Sequence, residues 1–207
     1  MFTLDITDQR LDRFKEVASK RQLDLTVVLE NVHDLHNIGA VLRSCDSVGI
    51  DEVYLIDTDP RLQGRKLAES KSSSTGINKW IKIHEFDSVD RCMEVVKNKY
   101  NRAIGTKLGV QSKSLHDYDY TLSTALVFGN EKDGITKDLV KHLDHNMVIP
   151  QFGFAQSLNI SVACAVTLYE VMRQRLKKDM YIDKEAPEIV DRFRIIDETK
   201  RLNKAKN

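Results

Sequence analysis

Leu11, Phe14 and Val17 recur at helical spacing within a charged segment, which predicts a helix over about residues 8–20. The apolar run "DLTVVLE" that follows reads as a strand. Ile38, Val41, Leu42, Cys45 and Val48 then form a second helical stripe, and Gly49 is placed to stop it. "EVYLID" and "KWIKIHEF" are two more strands, and the spacing predicts a helix over 88–99. "RAIGT", "TALVF" and "NMVIP" are short apolar strands, with a helix in "TKDLVKHL" between the last two. A long apolar helix is predicted from Ser157 to Lys178, and weak helical spacing near 188–200 marks a charged tail. Strands alternating with helices predict an α/β fold on a mainly parallel sheet flanked by helices. The division expected is an N-terminal helical extension at 1–22, a central domain at 23–178 and a C-terminal extension at 179–207.

In such sheets ligands bind in loops beyond the carboxyl ends of the strands. Three loops qualify: "NVHDLHN" after the first strand, "GNEKDG" after "TALVF", and "PQFGFAQSLN" after "NMVI". Gly129 at the end of a strand allows close backbone approach to a ligand, while Glu131 could equally favour the dipole of the next helix. Asn37 reads as an ordinary N-cap, and Arg43, five residues past Ile38, points about 140° away from it on the helix. Ser157 and Asn159 open the long helix, as caps or as a site for an anion. Taken singly, none of these positions demands chemistry.

Composition narrows the class. Of the 207 residues, 41% are hydrophobic and 30% charged, as in a globular domain. The three cysteines, Cys45, Cys92 and Cys164, form neither a disulfide framework nor a metal-ligand spacing, and suit a reducing, cytoplasmic compartment. No signal peptide, membrane span or metal site is expected. The net charge is +1, but residues 61–82 carry six cations against Glu69 alone, and "VMRQRLKK" at 171–178 carries four with no acid. Each cluster is a solvated face or a surface for a polyanion. G-x-G-x-x-G, the P-loop and G-x-S-x-G are all missing, which removes the usual dinucleotide enzymes, the P-loop hydrolases and the α/β-hydrolases.

"ENVHDLHNIGAVLRSCDSVGIDEVYLI", "LVFGNEKDGIT" and "IPQFGFAQSLNISVACAVTLYE" together resemble the three ordered motifs of the SPOUT-class RNA 2′-O-methyltransferases. Within that class the chain is most similar to the TrmH family, which methylates the D-loop guanosine-18 of tRNA. The resemblance implies a C-terminal trefoil knot, S-adenosyl-L-methionine as cofactor, tRNA as partner, and a homodimer whose active site is shared across the interface. It places the catalytic set on Asn37, Arg43, Glu131, Ser157 and Asn159, and the cofactor-lining positions on Thr106, Gly129, Ile149 and Leu158. Arg10, Arg13 and Arg21 match arginines of the family's N-terminal helix, and Arg173 and Arg175 match two of its C-terminal helix. As phosphate contacts, each would add a salt slope of roughly −0.7 to −0.9. Leu23, "HDLHN" and Gln151 depart from commoner family residues, which bears on target choice.

The chemistry suits these residue types. A ribose hydroxyl is a weak nucleophile that must be oriented and relieved of a proton. A guanidinium with a pKa above about 12 donates but does not accept, so Arg43 is expected to hold phosphate and hydroxyl. Two other readings stay open: a related enzyme acting on another tRNA or rRNA ribose, and a non-catalytic RNA-binding protein on the same scaffold.

Overall fold

The computed structural model describes residues 6–62, 64, 79–107 and 112–205. These fall into two compact units, one of residues 22–180 and one in which the N-terminal segment to Arg21 joins the C-terminal segment from Tyr181. The two terminal extensions expected separately thus form one unit.

The larger unit is built on seven strands: β1 (Leu25–Glu30), β2 (Glu52–Ile56), β3 (Lys82–Phe86), β4 (Ala103–Thr106), β5 (Lys113–Ser114), β6 (Thr124–Phe128) and β7 (His145–Val148). They lie in the order β3-β2-β1-β6-β4-β7-β5, and every pairing is parallel. The sheet is therefore parallel throughout, as the alternation of strands and helices predicts. Its residues serve two faces in turn. Leu25, Val27 and Leu29 pack with the helices α2 (Leu35–Ser47) and α5 (Ile160–Leu176), while Val28 packs on the other side with α3 (Val89–Lys99) and α4 (Lys137–Val140). Val27 and Val28 are both 0% exposed, so β1 is apolar on both faces, as a central parallel strand must be. Each such side chain stabilises the core by about 1.5–3 kcal/mol.

Helix α2 ends as its sequence predicts. Gly49 takes φ 83°, the Gly49 amide donates to the Asp46 carbonyl (3.1 Å), and the Ile50 amide donates to the Cys45 carbonyl (2.9 Å). This pair of bonds is the Schellman arrangement, and buried Ile50 supplies its apolar contact. The start differs from expectation. Asp34, not Asn37, is the N-cap, its carboxylate accepting the His36 amide. Helix α4 is only four residues long, and the two-residue strand β5 has too little sequence to show a period.

The smaller unit pairs α1 (Asp8–Ser19) with α6 (Pro187–Ala205). Phe14 meets Phe193 edge to face at 5.9 Å. Arg10 Nε donates to Asp197 Oδ2 at 2.8 Å, and Lys20 Nζ lies 2.8 Å from Asp183 Oδ1. Among the described residues no helix is long and apolar enough to cross a membrane.

Candidate active site

The three loops singled out in the sequence converge at the carboxyl end of the sheet. Asn37 sits in the first turn of α2, Glu131 in the loop after β6, and Asn159 at the N-cap of α5. Asn37 Nδ2 donates to Glu131 Oε1 at 2.6 Å, and Asn159 Nδ2 donates to Asn37 Oδ1 at 3.1 Å. Asn159 Oδ1 in turn accepts the Ser161 amide (2.8 Å) and hydroxyl (2.7 Å), which uses the cap to fix the side chain's rotamer. One polar chain therefore ties together residues 94 and 122 positions apart.

Beside it opens a cavity of about 440 Å³, the size of a small-molecule site. Thr106, Gly129, Ile149 and Leu158 all line it, together with Glu131 and Ser157. Gly129 is required there by space. A Cβ at this position would lie 2.0 Å from the Gly134 carbonyl carbon and 2.3 Å from the Ile135 nitrogen, because the loop folds back onto the strand end. Gly134 makes that return with φ 67°, and Asn130 Oδ1 accepts the amides of Lys132 (2.9 Å) and Asp133 (2.6 Å). The lining mixes apolar walls at Ile135, Ile149 and Leu158 with the cations Lys107 and Lys132. With the acids Glu131 and Asp133 also in the lining, the site offers apolar surface for an aromatic base and charged groups of both signs for an amino-acid ammonium and carboxylate.

Two residues at the end of β1 escaped sequence reasoning. Glu30 is 0% exposed, and its carboxylate accepts both the Thr136 amide (2.8 Å) and the Thr136 hydroxyl (2.5 Å). Burial raises its pKa above the ordinary value, against the lowering effect of those two bonds. Asn31, at φ 51°, accepts the amides of Thr58 (2.9 Å) and Asp59 (3.0 Å) on its side-chain oxygen. An acid and an amide ending a run of buried apolar residues were the signals available.

Arg43 lies on the exposed side of α2 and is not among the residues lining this cavity. The arginines matched to RNA contacts separate into two groups. Arg13 is exposed and pairs with Glu16 at 2.6 Å, Arg173 is half-exposed and pairs with Glu170, and Arg10 is held by Asp197. Arg175 is different: it is 0% exposed, and its guanidinium donates to Asp24 (2.6 Å), to the Gln22 side chain (2.9 Å) and to the Tyr120 carbonyl (3.0 Å). Such a group holds the core together and cannot reach a phosphate, so its assignment to RNA is corrected. Arg21 is corrected likewise, being buried with its guanidinium 5.6 Å from the Phe193 ring centroid. Of the cations between 61 and 82, Arg65, Lys66 and Lys71 lie outside the described residues.

A parallel sheet with its site in loops at the carboxyl strand ends, built on these three motifs, belongs to a methyltransferase class. Residues 24–169 match the SpoU rRNA Methylase family, and the chain belongs to that family. It is similar to the tRNA (guanosine(18)-2'-O)-methyltransferase of Aquifex aeolicus, 38% identical over 85% of this chain and 82% of that one. Its fold is similar to the crystal structure of the A. aeolicus TrmH/SpoU tRNA modifying enzyme, with a TM-score of 0.80 and 35% identity, covering 92% of this chain and 97% of that one. It is also similar to the SpoU methyltransferase AviRb of Streptomyces viridochromogenes, solved in complex with AdoMet. There the TM-score is 0.63 at 25% identity, over 77% of this chain and 61% of that one.

Proposed function

We propose that this protein transfers a methyl group from S-adenosylmethionine to the ribose 2′-hydroxyl of guanosine-18 in the D-loop of tRNA. The observation that carries this is the Glu131–Asn37–Asn159 chain at a cavity lined by all four positions matched to the cofactor. When bound, the cofactor supplies a methyl group activated on a sulfonium. Gly129 and the loop it opens give it room, Ile149 and Leu158 cover apolar surface, and Thr106 and Ser157 offer hydroxyls. Asn37 holds Glu131 and Asn159 in register, so the donors and acceptors at the cavity are oriented before any ligand arrives. Arg43 then holds the target phosphate and hydroxyl, and a phosphate oxygen or a transiently neutral guanidine takes the proton. Exposed Arg13 and Arg173 lie where phosphates can reach them.

The position of Arg43 supports a homodimer in which each Arg43 serves the partner's cavity. On α5, Val162, Val166 and Tyr169 are 46%, 40% and 51% exposed, an apolar stripe at helical spacing that a second copy would cover. The knot and the cytoplasmic location are further parts of this reading, and the three buried free cysteines suit a reducing compartment.

The test is incubation with labelled S-adenosylmethionine and two tRNA transcripts, one carrying the D-loop guanosine and one with it replaced. Label in the first alone is expected. Label in both moves the target to another ribose, and label in neither, across several tRNAs and ribosomal RNA, leaves a silent RNA-binding protein. Light scattering at a mass of one chain would remove the dimer.

A further inference from the structure

Glu30 has no place among the residues that face the cavity, yet it is a buried carboxylate at its edge. Its two bonds go to a single residue, Thr136, through both the amide and the hydroxyl. Thr136 is the N-cap of α4, its Oγ also accepting the Leu139 amide at 3.3 Å. Between Gly129 and Thr136 runs the loop that forms one wall of the cavity and carries Glu131. Gly129 fixes where the loop begins, continuing directly from β6. Glu30 fixes where it ends, from the neighbouring strand β1. The next residue, Asn31, does the same for the loop after β2, through Thr58 and Asp59.

We infer that Glu30 is a positioning residue for the methyl-transfer site: by clamping Thr136 it sets the Gly129–Thr136 loop in the shape that receives the cofactor. The inference rests on the function proposed above for the cavity. Its physical basis is that two hydrogen bonds converging on one buried carboxylate leave the loop's end no rotational freedom. The carboxylate can take both because it is an acceptor at each oxygen. A methionine in its place accepts neither bond, whereas an amide could keep both, its oxygen on the Thr136 N–H and its nitrogen on the hydroxyl, which rotates to accept. Asn37 then grips the loop at its middle through Glu131, so β1 and the start of α2 hold the wall at two points.

The test compares Glu30→Met, Thr136→Val and Thr136→Ser with the unaltered full chain. S-adenosylmethionine affinity is read by calorimetry, and amide hydrogen exchange is read on the protein alone. The Gly134 amide is the reporter. It donates to the Asn130 carbonyl at 3.1 Å and takes no part in the Glu30–Thr136 bonds, so its exchange follows the loop and not the lost bond. Glu30→Met and Thr136→Val are expected to raise the cofactor Kd about tenfold, the order of one lost charged hydrogen bond. Gly134 exchange should quicken by a similar factor while the KM for tRNA stays put. Thr136→Ser, which keeps hydroxyl and amide, should match the unaltered protein. Thr136→Val retains the backbone bond, so it serves if Glu30→Met does not fold. Unchanged Kd and unchanged Gly134 exchange in a folded Glu30→Met or Thr136→Val protein would overturn the inference, as would Thr136→Ser failing as badly as Thr136→Val. If the unaltered protein binds no S-adenosylmethionine, the proposed function falls, while the exchange data still decide whether Glu30 sets the loop.

Discussion

Adding one methyl group at Gly129 should empty the site, whereas the same change at Gly105 should not. The Cβ of Gly129→Ala would stand 2.0 Å from the Gly134 carbonyl carbon, 2.1 Å from its oxygen and 2.3 Å from the Ile135 nitrogen, all backbone atoms. Ordinary contact begins near 3.4 Å, so the loop must retreat by about 1.4 Å as a body. The Asn37–Glu131 bond at 2.6 Å would then open to about 4 Å, beyond hydrogen-bond range. A displacement of about 1 Å in a positioned site costs on the order of a hundredfold in rate. At Gly105 the clashing atoms are the Leu143 methyl at 2.4 Å and the Ile135 methyl at 2.9 Å, which are side-chain ends. There the cost is overpacking, about 1–3 kcal/mol of stability. Calorimetry with S-adenosylmethionine and methyl transfer to a tRNA transcript, each with a thermal melt, separate the two outcomes. Gly129→Ala with kcat/KM within threefold of the unaltered protein would refute the reasoning.

Other outcomes follow from neighbouring groups. Asn159→Asp keeps an N-cap acceptor but loses the donor to Asn37, so its melting temperature should hold while activity falls more than tenfold; a parallel loss of both would make Asn159 merely a cap. Arg175→Met should cost about 1–3 kcal/mol, because the buried Gln22 side chain and the Tyr120 carbonyl lose their donor while partly exposed Asp24 turns to water. The affinity of the folded fraction for tRNA should not change, and weaker RNA binding at full stability would restore Arg175 to the interface. Glu170 is held down to about 2 from an ordinary 4.5, first by the hydrogen bond from Arg173, with burial opposing and Gln174 adding to it. With the folded value depressed, its stabilisation is complete above pH 4.5 and is lost as pH falls toward 2. Because Arg173 is half-exposed, the amount is about 0.2–1 kcal/mol. A denaturation series of Glu170→Gln should show a flatter acid limb, and an unchanged limb counts against the pairing.

Much of the scaffold was legible because its period is strong. Ile38, Val41, Leu42 and Cys45 mark α2 unmistakably, and the apolar runs at 25–30 and 124–128 read directly as buried strands. Where the period failed, elements were short: β5 has two residues and α4 has four. The cap of α2 was misplaced because Asp34 and Asn37 are both good caps, and backbone dihedrals decide between them. The Glu131–Asn37–Asn159 chain has no trace in local spacing, since its members meet only through the sheet; family motifs, not periodicity, brought them together. Arg175 was misread despite a usable signal. It follows Cys164, Leu168 and Val171 at intervals of four, three and four, the buried stripe of α5, and its charge and the family match pointed instead to a surface.

The strand order has a consequence for how the chain is made. β1 pairs with β2 on one side and with β6 on the other, and Leu25 meets Thr124, roughly a hundred residues later. A chain emerging from the ribosome can assemble β1, β2 and β3 early. Until β6 has followed, β1, buried along its whole length in the finished sheet, presents a bare edge, the kind of template on which nascent chains stick to one another. A strand buried inside the finished enzyme is therefore uncovered during synthesis, and the yield in cells should depend on how quickly residues 124–128 arrive to cover it.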